Sequence, residues 1–188
     1  MKQWYYPVHS LQAKAWANGT TTELVKFPPE SDFLKRDFIF RISTATVEAE
    51  ESTFSDFSGL TRILMVLEGS LELIHEGRYQ KHLQPYEQDT FDGSWSTRSK
   101  GKVRDFNVMF NDQAAATLRA FTLQTEESLH FTCTHQRIVL FVHTGTFQLG
   151  EQVLETGSVL DIDSCTWESI PLACLDAGTI LISEVEVL

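Results

Sequence analysis

Polar and apolar residues alternate along most of the chain with the period of a strand and almost nowhere with that of a helix. Phe38, Phe40 and Ile42 fall on one face of a run whose other face carries Ile39, Arg41, Ser43, Ala45 and Val47, so the pattern predicts a strand that puts Arg41 and Ser43 on one side. Val103 to Phe110 reads the same way. Phe106, Val108 and Phe110 oppose Asp105, Asn107 and Met109, which sends Asp105 and Asn107 in a common direction. Ile63 to Leu67 is a continuous apolar run, too short for a helix and ended by Glu68-Gly69, as expected of a strand buried on both faces. Arg62 stands at its entrance, and Leu71 and Leu73 resume the alternation beyond the glycine. The one stretch of helical character is Asn111 to Arg119, where Asp112 is placed to cap a turn joining two halves.

Turn signals divide these runs. Asn18-Gly19 followed by three threonines predicts a β-hairpin; its plain reading is a solvated threonine face. Its functional reading is that Asn18, Thr21 and Glu23 present an amide, a hydroxyl and a carboxylate at a pocket mouth, with Trp16 as one wall. Phe27-Pro28-Pro29 breaks the strand, and Gly77-Arg78 marks a hairpin tip. Val66 to Leu73 then reappears as Val142 to Leu149, and Leu83 to Gly93 as Leu154 to Ser164. Such self-similarity calls for two copies of one β-unit. The expected fold is all-β: a bicupin, two tandem double-stranded β-helix (jelly-roll) units in one chain. Residues 1–112, including the amino-terminal strands, are assigned to the first barrel and 113–188 to the second, packed as a single compact unit.

Composition narrows the partners. The formal net charge of -11 disfavours nucleic acid and anionic membrane surfaces, both of which need clustered Lys and Arg. A small anion remains open, because one buried Arg can hold a carboxylate whatever the surface charge. Cys133, Cys165 and Cys174 are odd in number and widely spaced, as free thiols in a reducing cytoplasm would be. The amino terminus has no apolar signal core, and no run is long enough to span a bilayer, so the expected location is cytoplasmic. A homodimer is the default assembly.

Cupin barrels that do chemistry usually hold a metal through two His, a Glu and a third His. With Gly69 as the glycine that closes that pattern, the Glu position falls on Arg62, the paired histidine positions fall among Ser55 to Ser58, and Ser94 to Ser99 offers no third imidazole. A guanidinium has no lone pair to coordinate and repels a cation. In the second copy Ile138 takes the Glu position, His130 and His135 are out of spacing, and Glu168 stands alone. No metal and no other cofactor is expected. The His residues at 9, 75, 82 and 143 read as ordinary strand residues, and the acidic turn Glu48 to Glu51 lacks the spacing of a calcium loop.

Several linked motifs carry a family resemblance over nearly the whole chain. Trp16-x-Asn18-Gly19 with Thr21-x-Glu23, then Phe40-Arg41-x-Ser43-x-Ala45-x-Val47, Phe54-Ser55-x-Phe57-x-Gly59-x-x-Arg62, Leu67-x-Gly69 and Asp105-Phe106-Asn107-Val108-Met109 resemble the HutD/Ves family of bicupins. The chain departs from that family in a shortened loop before Thr21 and in Phe40, where Trp is usual. The resemblance implies a binding or sensing protein for a small carboxylated metabolite such as urocanate or formylglutamate, linked to histidine degradation. Ves is linked to stress responses, and no reaction is established for the family. The residues expected at the site are Arg62, Arg41, Asn18, Thr21, Glu23, Ser43, Asp105, Asn107, Trp16 and Phe57. Two other readings stand beside this one: a metal-free isomerase or hydrolase with Glu23 or Asp105 as general base, and a packed barrel in which Arg62 and a carboxylate merely neutralise each other while the surface recruits a partner.

Overall fold

The computed structural model describes residues 2–131, 137–163 and 170–188. Cys133, Cys165, His135 and Glu168 lie outside them. The first strands are β1 (Lys2–Tyr6), β2 (Ala13–Trp16), β3 (Gly19–Phe27), β4 (Phe40–Val47), β5 (Glu51–Thr53), β6 (Thr61–Gly69), β7 (Leu71–His75), β8 (Tyr79–Leu83), β9 (Gln88–Asp92), β10 (Thr97–Lys100) and β11 (Val103–Phe110). The remainder are β12 (Ala114–Leu123), β13 (Ser128–Phe131), β14 (Arg137–Leu149), β15 (Gln152–Glu155), β16 (Val159–Asp163) and β17 (Ile170–Val187). The only helical element among the described residues is a single 3-10 turn at Val8–Ser10, and no helix is long and apolar enough to cross a membrane.

Two compact units divide the chain: Gln12–Ala114, and Met1–Leu11 together with Ala115–Leu188. In the first, a six-stranded sheet ordered β2-β3-β4-β11-β6-β9 and a four-stranded sheet ordered β5-β10-β7-β8 enclose an interior of Val47, Leu64, Val66, Leu71, Leu73, Leu83, Phe91 and Val103. The strand alternation sorts the side chains as expected. Phe40, Ile42, Phe106 and Val108 are fully buried on one face of the larger sheet, while Arg41, Ser43, Asp105, Asn107 and Met109 line a cavity on the other; Phe38, expected on the face of Phe40, lies before β4 and packs instead with Phe57, Leu60 and Met109. Ile63 to Leu67 is buried on both faces of β6.

The second unit is one sheet of seven strands, with β1-β16-β14-β17-β12 in order, β13 on β17 and β15 on β14. Its apolar cluster includes Ile138, Leu140, Val142, Phe147, Leu160 and Ile162. Ile138, which occupies the position of Arg62 in the repeat, is fully buried in that cluster.

Two expectations are corrected. The amino terminus does not belong wholly with residues 13–112: β1 pairs antiparallel with β16, Lys2 opposite Asp163 and Tyr6 opposite Val159. Its short aromatic run completes an edge of the second sheet, a long-range pairing that no local pattern announces. Residues 114–119 form no helical turn either; they start β12. Ala114 and Leu118 are buried on either side of exposed Ala115 and Thr117 is likewise exposed, and the β-branched and aromatic residues of Ala116 to Leu123 suit an extended edge strand better than the alanine count suggests.

Glycine fixes the corner between β6 and β7. Gly69 has φ of +84°, and a Cβ there would lie 2.5 Å from the Lys102 carbonyl oxygen. Gly145 repeats the device in the second unit, with φ of +83° and a Cβ position 2.6 Å from the Asp176 oxygen. Gly77 has a φ of +70° but open space around it. Gly69→Ala is therefore expected to destabilise the protein by about 2–4 kcal/mol and Gly77→Ala by only about 1 kcal/mol, since the first adds a backbone clash to the strain of a left-handed alanine. Urea denaturation of the two variants checks this; equal losses would contradict it.

Candidate functional site

The first unit holds a cavity of about 430 Å³ between its two sheets. Arg41 and Ser43 reach it from β4, Arg62 and Leu64 from β6, Asp105, Asn107 and Met109 from β11, and Thr21 and Glu23 from β3. Phe54 and Phe57 add aromatic surface from the segment before β6, and Lys14 and Trp16, both exposed, stand at its rim. The register explains the convergence: Met109 lies opposite Arg62 and Asn107 opposite Leu64 across β11 and β6, while Asn107 lies opposite Ser43 across β11 and β4. Side chains two apart on adjacent strands share a face.

Arg62 is 6% exposed. Its Nη2 donates to Asn107 Oδ1 at 2.9 Å, and Asn107 Nδ2 in turn donates to Asp105 Oδ1. Its Nε–H is buried and has no hydrogen-bond acceptor among the described residues. The guanidinium carbon lies 4.6 Å from the ring centre of Phe54, 5.3 Å from Phe91 and 5.6 Å from Phe57, so aromatic faces add to the stabilisation its charge receives from Asn107 and Asp105. Burial pulls the guanidinium down to about 10, Asp105 opposing and Arg41 assisting, and it is still cationic at neutral pH. Arg41 is committed elsewhere: Nε donates to Glu23 Oε2 at 2.9 Å and Nη1 to Ser43 Oγ at 3.0 Å, and its guanidinium carbon lies 4.4 Å from the centre of the Phe33 ring.

The two carboxylates that face this cavity differ. Burial works to raise the Glu23 carboxyl, but the hydrogen bond and charge of Arg41, with Lys26 at 3.4 Å, overcome it and hold the group below its ordinary value. Burial pushes Asp105 up to about 7 against the opposing pull of Arg62 and Asn107. Among the described residues no direct ion pair joins Arg62 to Asp105 or Glu23; Asn107 stands between Arg62 and Asp105.

Of the residues picked from the sequence, Trp16, Thr21, Glu23, Arg41, Ser43, Phe57, Arg62, Asp105 and Asn107 line this one cavity, and Asn18 does not. Asn18 sits in the β2–β3 turn, where its carbonyl accepts from the Glu48 amide at 2.8 Å, and it lines a separate groove with Ser52, Thr53 and Arg98. The neighbouring Gly19 packs so closely on the Thr46 carbonyl that the turn is held against β4. Sequence reasoning missed Phe33, which lies in an irregular loop, and Ser52 and Ser99, whose hydroxyls share a hydrogen bond of 3.0 Å beside the cavity. Ser52 and Ser99 sit at inward positions of short strands, a signal that alternation over three or four residues is too brief to carry.

The donor set does not fit a transition metal. Among the described residues the cavity lining has no imidazole; its two carboxylates are a rim group already bonded to two cations and a buried acid whose ordinary ionisation is suppressed, and a guanidinium lies between the sheets. His75, the histidine of this unit that is deeply buried, is turned to Thr97 and Asp89 at 2.8 and 3.0 Å and packs on Tyr79, Phe91 and Trp95, a satisfied core residue.

Antiparallel strands with glycine corners make this an all-β fold, and its structural neighbours are of cupin and pirin type. A pirin from Escherichia coli solved in complex with nickel(II) has this fold: it is 13% identical, covers 100% of each chain and superposes with a TM-score of 0.73. Two other solved structures are more alike. A conserved protein of unknown function from Pseudomonas aeruginosa is 23% identical over 99% of this chain and 100% of its own, with a TM-score of 0.84. HutD from Pseudomonas fluorescens is 21% identical over 100% of both chains, with a TM-score of 0.81. The HutD family model matches residues 8–182, and the chain belongs to the HutD family.

The raised Asp105 carboxyl sets a pH dependence. Below about pH 4 folded and unfolded states both carry its proton; as pH rises from there the unfolded state ionises first, so the group's contribution to stability falls until about pH 7, where the folded state ionises too. Asp105→Asn is expected to flatten the stability profile across that window, measured by urea denaturation at a series of pH values. An unchanged slope would show that Asp105 is ionised in the folded protein throughout.

Proposed function

We propose that the chain is a metal-independent receptor for a small carboxylated metabolite, bound in the cavity of the first unit with Arg62 as its principal anchor. The observation that carries this reading is that the buried Arg62 guanidinium, which lines the cavity, makes among the described residues a single hydrogen bond, to a neutral amide, and meets no carboxylate directly. A buried cation costs several kcal/mol unless an anion compensates it, and a carboxylate that leaves water to reach this one forms a charge-assisted pair with it in a site of low dielectric. Arg41, with Ser43 and Glu23 already bound to it, gives a second, weaker cationic point. Trp16, Phe33, Phe54 and Phe57 offer apolar surface for the hydrocarbon part of the ligand.

We assign the metabolite to histidine catabolism on family membership. The repeated glycine corner at Gly69 and Gly145 and the two compact units support a bicupin plan, with the break between barrels near residue 112 and β1 contributed to the second. The second barrel is assigned no such site, because Ile138 stands among apolar neighbours where Arg62 stands in the first. We place the protein in the cytoplasm, without nucleic-acid or membrane partners, as its acidic charge favours, and as a homodimer by default.

The test is a thermal-shift screen against small mono- and dicarboxylates, histidine catabolites included. At a ligand concentration about 100 times Kd the fold gains about 2.7 kcal/mol, so a binding carboxylate raises Tm by several degrees. Arg62→Met removes the shift, while its uncharged amide analogue gives none with the wild type. A shift that survives Arg62→Met overturns the assignment.

A further inference from the structure

The environments of the two cavity carboxylates push them apart, which is how one fold obtains a base and a spectator from the same chemistry. Glu23 is paired with Arg41 and Lys26 near the mouth and is a weak base. Asp105 is buried at 4% exposure; its Oδ1 takes the Asn107 hydrogen bond, and its Oδ2 receives none among the described residues and is not sealed off. The charged and polar groups that face it are Arg62 from β6, Arg41 and Ser43 from β4, Glu23 from β3 and Asn107 from its own strand. Of these, Arg62 and Asn107 favour its ionised form, and burial opposes them.

One amide separates the guanidinium from this carboxyl, since Asn107 accepts from Arg62 and donates to Asp105. A ligand whose carboxylate rests on Arg62 therefore brings atoms one or two bonds away beside Asp105. An acidic C–H at that distance belongs to the carbon next to a carbonyl, and the carbonyl oxygen must itself face a cation for its developing charge to be stabilised. A carbonyl at position 2 of the acid satisfies both demands with the single guanidinium.

Resting on the receptor reading above, we propose that the cavity catalyses proton exchange at C3 of a 2-oxo carboxylate, with Asp105 as the catalytic residue that takes and returns the proton. The Asp105 carboxylate removes a proton from C3; the C–H electron pair becomes the C2–C3 double bond, and the carbonyl π pair moves onto the oxygen, whose charge faces Arg62. The carboxyl, after exchanging its proton with water through the cavity mouth, protonates C3 and the ketone is restored. No oxidant, reductant or co-reactant enters. A group that ionises near neutral pH is matched to this task, as both the acid and the base form are available.

The experiment uses 2-oxobutyrate with the full chain in D2O, following loss of the C3 proton signal by NMR, beside a thermal-shift titration with the same compound. Exchange is expected well above the buffer rate, rising with pH and levelling off above about pH 7, with Asp105→Asn lowering the rate at saturating 2-oxobutyrate about 10²–10⁴-fold. The wild-type pH profile stands without any variant: a rate that keeps climbing in proportion to hydroxide overturns the proposal. A thermal shift without exchange overturns it and leaves the receptor intact; neither shift nor exchange, with no response across the carboxylate panel, overturns both.

Discussion

The first unit is arranged around a positive charge taken out of water. Arg62 enters the cavity from a strand buried on both faces, and no carboxylate meets it directly. Desolvating a guanidinium is expensive, and aromatic faces with one neutral amide return only part of that cost. The surrounding strands bear the difference: the apolar β6 fixes the entry point, Gly69 lets the chain turn immediately beyond, and β11 supplies Asn107 at the register that meets the guanidinium. The cation has Asp105 only at second hand, through Asn107, and the proposed anion would complete its compensation. Pure packing would have served better with an isoleucine, which is what the second unit has at Ile138.

The same substitution separates this site from metal-dependent barrels of like shape. Where a coordinating carboxylate would draw a cation inward, Arg62 repels one, and the remaining carboxylates are a rim group tied to Arg41 and Lys26 and an acid that burial keeps largely protonated below neutral pH. The nickel-bound pirin shares this fold at 13% identity, and a shared fold leaves the chemistry of a site to individual side chains.

Much of this was legible in the sequence because a strand encodes its faces locally. The alternation in Phe40 to Val47 and Val103 to Phe110 was enough to put Arg41, Ser43, Asp105 and Asn107 on a common side, and the uninterrupted run after Arg62 marked a strand buried on both faces. What escaped depends on partners distant in the chain. β1 is stabilised by pairing with β16 across more than 150 residues, and the alanines of 114–116 follow the edge pairing of β12 rather than their own helix preference. Asn18 was drawn into the site by its motif, yet its turn is tied to Glu48 and points it to another groove. Phe33 reaches the cavity from an irregular loop with no periodicity to read.

The most direct measurement is NMR of the Arg62 side chain in protein labelled with ¹⁵N-arginine, its guanidinium Nη–H signals assigned by their loss in Arg62→Met. On titration with a binding carboxylate, those signals are predicted to move downfield and exchange more slowly with water, as the cavity-facing edge of the guanidinium gains a charged acceptor. A signal that stays put while the carboxylate binds would contradict the account.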